Sequence, residues 1–299
     1  MGSNNMSVIL ITGASTGIGQ ETALHMARKG CEVYAACRSP DKADELKQKI
    51  AEEDLTVHII QMDLVDPASI KSAIATIMEQ SGRIDGLVNN AGIGGGQAVE
   101  MTSLETSREI FETNYFGNVS VLREVTPIMR KQKSGRIVTV GSLAGQTVMG
   151  CHAHYSASKW AMEGLSEALA AEMAEFNVKV AIIEPGCVVT PIWGKGSLPE
   201  GEQPYINSLM KLGRWFEFGL TRPAYPTDCA QAIEHALTSD KPQFRYPVGH
   251  DAKEHVAARN SVSDDEWMEA NCLQGEAYYD RMEELIGVDY FRGELPAAE

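Results

Sequence analysis

Apolar and polar positions over the first two-thirds of the chain follow two periods in turn. Short apolar runs at 8–11, 33–37, 57–61, 84–88, 136–140 and 178–183 have the length of buried strands. Between them the apolar positions recur at helical spacing. Residues 18–29 read as a helix that stops at Gly30, and 153–176 as another. Asp66-Pro67 has the character of an N-cap followed by a first helical residue. Behind it Ile70, Ile74, Ile77 and Met78 fall at i, i+4, i+7 and i+8, on one helical face. A long helical stretch covers 104–131.

Strand and helix repeated in this order predict a doubly wound α/β domain of Rossmann type, a parallel sheet flanked by helices. Ligands of such sheets bind beyond the carboxyl ends of the strands. The unusual short sequences of this chain fall there: Thr12-Gly13, Asp63, Asn89-Asn90-Ala91-Gly92, Gly141-Ser142 and Glu184-Pro185-Gly186. After Gly186 the pattern loosens. Residues 187–224 mix Gly, Pro, Trp and Phe and read as a mobile segment of short helices over a pocket. Residues 226–237 read as a helix and 244–248 as a last strand. Residues 264–290 read as an acidic helix with Tyr278, Met282, Leu285 and Ile286 on one face. No repeat or linker interrupts the chain. The expectation is one domain over 1–299: a nucleotide-binding and catalytic core at 7–250, a substrate-loop segment at 187–224 within it, and a helical C-terminal extension at 251–299.

Composition narrows the function. The chain has 299 residues, 43% hydrophobic and 22% charged, ordinary for a globular protein with a sizeable core. A net charge of −15 argues against nucleic acid and anionic membrane surfaces as partners. No apolar run reaches the roughly 18 residues of a membrane span, and the N-terminus has no apolar signal core. The six cysteines show no Cys-x-x-Cys and no metal-ligand spacing, so no metal is expected. Reduced, buried thiols in a cytoplasmic protein are the simplest reading.

Tyr155 and Lys159 stand four apart in a helical stretch, which puts both on one face. A phenol has a free pKa of about 10 and is a poor acid or base at neutral pH unless a nearby ammonium stabilises the phenolate. Ser142, 13 positions earlier at a strand end, offers a hydroxyl for a substrate oxygen. Asn114 sits inside a helix despite mediocre helix propensity and is placed to hold a water near Lys159. The run from Thr12 through Gly13, Ser15, Thr16, Gly17, Ile18 and Gly19 lies between a strand and a helix. Glycines there permit close approach of a phosphate to free helix N–H groups. The second strand ends in Cys37-Arg38 with no acid. An Arg there suits the 2′-phosphate of NADP, and an acid would suit NAD. Asp63, followed by Leu64, is positioned to accept a hydrogen bond from an adenine amino group.

Thr12-Gly-x-x-x-Gly-Ile-Gly19, Asn89-Asn-Ala-Gly92, Ser142 with Tyr155-x-x-x-Lys159, and Pro185-Gly186 with Thr190 together resemble the short-chain dehydrogenase/reductase family, in its common short form, over residues 7–250. The resemblance implies a pyrophosphate loop at 13–19, an adenine contact at Asp63, and a cofactor contact beside the ribose at Asn90, Ala91 and Gly92. It implies that Tyr155 is the general acid/base. Lys159 lowers the pKa of Tyr155 and binds the nicotinamide ribose, Ser142 polarises the substrate carbonyl, and Asn114 occupies a proton-relay position. Pro185, Gly186, Val188 and Thr190 match the nicotinamide segment. Relatives pair through the two long helices, so a homodimer or homotetramer is expected. Arg245-Tyr-Pro-Val-Gly249 and the variable segment look like the branch acting on steroids, retinoids and other apolar alcohols. Met149, Cys151, Trp193 and Phe216 would line such a pocket. The expected function is NADP(H)-dependent interconversion of a secondary alcohol and a ketone. A cofactor-binding regulator without turnover and an NAD-dependent dehydrogenase of a smaller polar alcohol are the alternatives. The glycine spacing disfavours the epimerases and lyases of the extended branch.

Overall fold

The computed structural model describes residues 7–95, 97–191 and 203–287. Seven parallel strands form one sheet in the order β3-β2-β1-β4-β5-β6-β7. They are β1 (Val8–Thr12), β2 (Glu32–Cys37), β3 (Val57–Gln61), β4 (Gly86–Asn89), β5 (Gly135–Val140), β6 (Val178–Pro185) and β7 (Arg245–Val248). The chain winds outward from β1 through β2 to β3, then returns to β4 on the other side of β1. That reversal opens a crevice at the carboxyl ends of β1 and β4.

The period of two along each strand divides the core into two layers. Ile9, Ile11, Val33, Ala35, Val138, Ala181 and Ile183 pack against α1 (Gly17–Arg28), α2 (Asp44–Glu53) and α8 (Pro226–Thr238). Val8, Leu10, Tyr34, Leu87, Ile137, Val178 and Val180 pack against α3 (Pro67–Ser81), α5 (Asn118–Gln132) and α6 (Ala153–Ala174). Both faces are covered, which is why these strands read as continuous apolar runs. The Asp66 side chain accepts from the Ala68 N–H at 2.9 Å, the cap that Asp66-Pro67 predicts.

A third layer packs beyond the sheet. Leu143, Met149 and Cys151 from the loop after β5 meet Leu212 and Trp215 of α7 (Ile206–Thr221). Over them lie Ala252 and Ala258 of α9 (His250–Asn260), Trp267 of α10 (Asp264–Cys272), and Tyr278 and Met282 of α11 (Glu276–Ile286).

Three expectations need correction, and one helix was missed. The stretch 104–131 is not one helix: α4 (Leu104–Phe111) and α5 are separated by a π-helical turn at Glu112–Gly117. The described part of 187–224 is dominated by the 16-residue helix α7, whose Leu212 and Trp215 gain burial from the C-terminal helices. The stretch 264–290 breaks into α10 and α11, because Gly275 takes φ +58° and turns the chain; residues 288–290 lie outside the described residues. Helix α2 was not anticipated. It is polar nearly throughout and buries only Leu46, so it carries little apolar signal. Among the described residues no helix is long and apolar enough to cross a membrane.

Candidate active site

The turn leaving β1 is built by two glycines in the left-handed region, Gly13 at φ +66° and Gly17 at φ +62°. Gly19 solves a different problem. A Cβ there would stand 2.5 Å from the Gly13 carbonyl oxygen and 2.6 Å from Asn90 Nδ2. The first turn of α1 therefore lies directly against the loop from β4. Thr16 precedes α1 in extended conformation without a side-chain cap, and no acidic residue occupies the first turn. The leading N–H groups and the positive end of the helix dipole are left for an anion. This cradle fits the pyrophosphate of a dinucleotide.

The loop after β4 is held by its own asparagines. The Thr12 hydroxyl accepts from the Asn90 and Ala91 N–H groups at 2.9 and 3.0 Å. Asn90 Nδ2 donates to the Thr12 and Gly13 carbonyls at 2.8 and 3.3 Å. Asn118 Nδ2 donates to Ala91 O at 3.1 Å and Asn114 O at 2.9 Å, and its own carbonyl accepts from Asn89 Nδ2 at 3.2 Å. Asn118 was not singled out from sequence. Its signal was a second asparagine one turn beyond Asn114.

The π-helical turn carries Asn114, as such turns often do at functional sites. Its Oδ1 accepts from Ile93 N at 2.8 Å, and its Nδ2 donates to Ile93 O at 2.9 Å and Ser158 Oγ at 3.0 Å. A Cβ on Gly92 would lie 3.2 Å from Asn114 Oδ1 and 3.7 Å from Lys159 Nζ, so Gly92 borders both groups.

Helix α6 delivers Tyr155 and Lys159 to the end of β5. Lys159 is buried, and its ammonium donates to Val140 O at 3.0 Å. Nζ lies 5.7 Å from the Tyr155 ring centroid. Burial lowers the Lys159 pKa to about 8, with Glu163 partly opposing the shift. Burial also pushes the Tyr155 phenol above its ordinary value, and a hydrogen bond with Ser142 acts the other way. Ser142 Oγ accepts from Ala144 N at 3.1 Å. Ser142, Tyr155, Lys159 and Asn114 thus lie around one point at the carboxyl ends of β4 and β5.

The imidazole of His152 stacks on the Tyr155 ring, centroids 4.7 Å apart and planes 20° apart. Phe216 of α7 meets His152 edge-on at 5.7 Å. Burial lowers the His152 pKa to about 4, so this wall is uncharged at neutral pH. Met149 and Cys151 are buried in the third core layer, where the Tyr278 hydroxyl lies 3.8 Å from Met149 Sδ. Trp193 lies outside the described residues.

On the nucleotide side, Arg38 is exposed at the end of β2, without an ion pair among the described residues. Asp63 accepts from Val65 N at 3.2 Å through Oδ1, and Leu64 is buried beside it. The segment after β6 is pinned by a residue that sequence reasoning missed. Asp251, fully buried at the start of α9, accepts from Cys187 N at 2.7 Å and packs directly on Gly186. Pro185 and Val188 are buried, and Thr190 reaches the glycine turn after β1, its methyl 3.3 Å from where a Cβ on Gly17 would stand.

A nucleotide cradle, a phenol, a hydroxyl and a buried ammonium at one sheet edge define the class of nicotinamide-dependent oxidoreductases. The short chain dehydrogenase family model matches residues 7–200, and the chain belongs to that family. It is 33% identical over 245 residues to a 3-ketodihydrosphingosine reductase of Bacteroides thetaiotaomicron, covering 81% of this chain and 87% of the relative. It is 32% identical over 252 residues to retinol dehydrogenase 8 of Homo sapiens, 79% of each chain. Among solved structures, a short-chain dehydrogenase from Streptomyces avermitilis superposes with a TM-score of 0.79 at 33% identity, over 90% of this chain and 97% of the other. Two other similar structures hold cofactors. A Brucella melitensis 3-ketoacyl-(acyl-carrier-protein) reductase carries NADH (TM-score 0.68, 25% identity, 78% and 91% covered). A variant actinorhodin polyketide ketoreductase carries NADPH (TM-score 0.70, 26% identity, 80% and 93% covered).

Gly19→Ala tests the close approach of α1 to the β4 loop. The added methyl forces backbone apart, so NADPH affinity, read by fluorescence titration, should fall at least about tenfold, as expected from losing roughly one hydrogen bond to a charged group. Unchanged affinity would mean that the loop relaxes freely.

Proposed function

We propose that this enzyme interconverts a secondary alcohol and a ketone, with NADP(H) as its preferred cofactor and a bulky apolar substrate. One observation carries the reading: the buried Lys159 ammonium lies 5.7 Å from the centroid of the Tyr155 ring, and Ser142 faces the phenol and opposes the upward push that burial gives its pKa. In this reading a ketone oxygen takes a hydrogen bond from the Ser142 hydroxyl and a proton from the Tyr155 hydroxyl as negative charge develops on it. The Lys159 ammonium stabilises the phenolate left behind. The backbone carbonyl of Val140 holds the ammonium in place, and Asn114 positions the Ile93 backbone alongside. The nicotinamide, when bound, supplies or accepts the hydride. Gly13–Gly19, Arg38, Asp63, Asn90 and Pro185–Thr190 would hold that cofactor. Alcohol oxidation runs the same steps backward, with Tyr155 phenolate as base.

Two facts support an apolar substrate. The wall beside Tyr155 is formed by the neutral His152 and by Phe216. The two relatives named above carry the names of lipid-converting enzymes, one a ketone reductase and one an alcohol dehydrogenase. Arg38, exposed and unpaired among the described residues, supports the 2′-phosphate reading. A cytoplasmic homodimer or homotetramer completes the proposal. All six cysteines are free thiols, and Phe116 and Trp160, on the π-helical turn and α6, are 50% and 49% exposed.

A panel of alcohols and ketones, read by nicotinamide absorbance with NADPH and NADH side by side, tests the reading. Turnover of bulky apolar members is expected. Activity on small polar ketones alone would sink the substrate proposal, and cofactor binding with no turnover at all would favour a regulator. Tyr155→Phe removes the transferable proton while keeping the ring. It should lower kcat by about 10²–10⁴-fold and leave cofactor affinity nearly unchanged. Arg38→Ala should weaken NADPH binding by about tenfold or more, the worth of one charge-assisted hydrogen bond, and barely change NADH binding. Equal losses for both nucleotides would refute contact with the 2′-phosphate.

A further inference from the structure

One turn beyond Lys159, helix α6 places Glu163, only 5% exposed. Glu184 of β6 is fully buried at 0%. The strand period puts Glu184 on the same face as Val180, the face covered by α6. Register does the same for Arg245, which stands beside Ile182 on β7. Two acids and one guanidinium from three elements therefore converge under the active site. Arg245 Nε lies 3.0 Å from Glu163 Oε2 and 3.4 Å from Glu184 Oε1, and its Nη2 lies 3.3 Å from Glu167 Oε2. Glu163 and Glu184 are within hydrogen-bonding reach of each other. Glu163 Oε1 and both Glu184 oxygens have no closely aligned donor; the Gln146 amide and the Arg245 guanidinium are the donors that face them. Two facing buried carboxyls satisfy each other only when a proton lies between them. One guanidinium, 37% exposed in its side chain, offsets one of the two charges.

We propose that Glu163 and Glu184 share one proton and, clamped by Arg245, form an electrostatic support that holds the charge on Lys159, making them positioning residues for the Tyr155 acid/base. The inference rests on Tyr155 and Lys159 acting as described under Proposed function. Below neutral pH the pair carries one proton and its remaining charge is met by Arg245. As pH rises, the shared proton leaves to solvent, and the cluster gains one negative charge a single helical turn from the ammonium. Burial and Glu163 push Glu184 up to about 8, and burial brings Lys159 down to about 8. The extra charge thus arrives in the range where Lys159 would otherwise be lost, and it opposes that loss. The groups facing the cluster are Lys159 and Glu167 on α6, Arg245 on β7 and the Gln146 amide. From α9, Asp251 is turned to Cys187 N.

Glu184→Gln keeps the shape and hydrogen-bonding capacity of the pair but cannot ionise. Lys159 should then lose its proton at lower pH. The alkaline limb of kcat should move toward neutrality by about half a unit or more, the scale of a nearby charge. Glu163→Gln should move it the same way. Thermal midpoints near that of the native protein check folding. Infrared spectroscopy gives a second readout independent of turnover. The native protein should show a protonated-carboxyl band near neutral pH that disappears by about pH 10, and Glu184→Gln should lack it. A native protein without the band, or variants whose pH profiles superimpose on the native one, would overturn the inference. A band present in an enzyme that turns over no substrate would instead overturn the proposed function.

Discussion

A cation buried at the edge of a sheet sets the terms for the rest of this structure. The Lys159 ammonium has one direct backbone partner, the Val140 carbonyl at 3.0 Å, and otherwise sits in a low-dielectric region. An isolated buried charge is costly, and burial alone would drive it neutral. The surrounding residues compensate. The face of Tyr155 lies 5.7 Å away, Glu163 follows one helical turn along, and Gly92 leaves room beside it. In the proposed function Tyr155 gives and takes a proton, which needs such a charge nearby, so the cost of burial and that chemistry would be coupled.

The neighbouring loops are cross-linked by hydrogen bonds for a related reason. Most buried polar groups in them find a partner. Thr12 ties β1 to the β4 loop, Asn118 ties that loop to the π-helical turn, and Asn114 closes the turn on Ile93 and Ser158. These residues have hydrogen-bonding groups sized to reach backbone atoms across a gap. They hold the turn after β1, the loop after β4, the π-helical turn and α6 together, the preorganisation that the proposed acid–base chemistry would use.

The C-terminal helices add a further layer of packing to the sheet edge. They cover Leu143, Met149 and Cys151 and bring Asp251 onto the segment after β6. The loop after β5 and the segment after β6 are therefore both supported by residues beyond the last strand. Changes there would reach the active site through packing rather than through contact with the reacting atoms.

Much of the fold and the residues gathered at the candidate site were legible in the sequence, because those features are local. A strand's apolar run, the N-cap at Asp66, the glycines at 13, 17 and 19, and a Tyr–Lys pair one turn apart each express a constraint within a few residues. The break in 104–131 was not legible, since a π-helical turn keeps helical composition while changing its register. Asp251 on Gly186, Glu163 beside Glu184 with Arg245, and Phe216 against His152 were equally hidden. Each joins residues from separate elements, and an acid on a strand reads the same whether it meets water or another acid. The sequence by itself determined the order of strands and helices and the chemistry gathered at their ends. Only the tertiary structure decided which charges share a buried space and what walls the acid/base, because burial is a property of the packed chain and not of any segment.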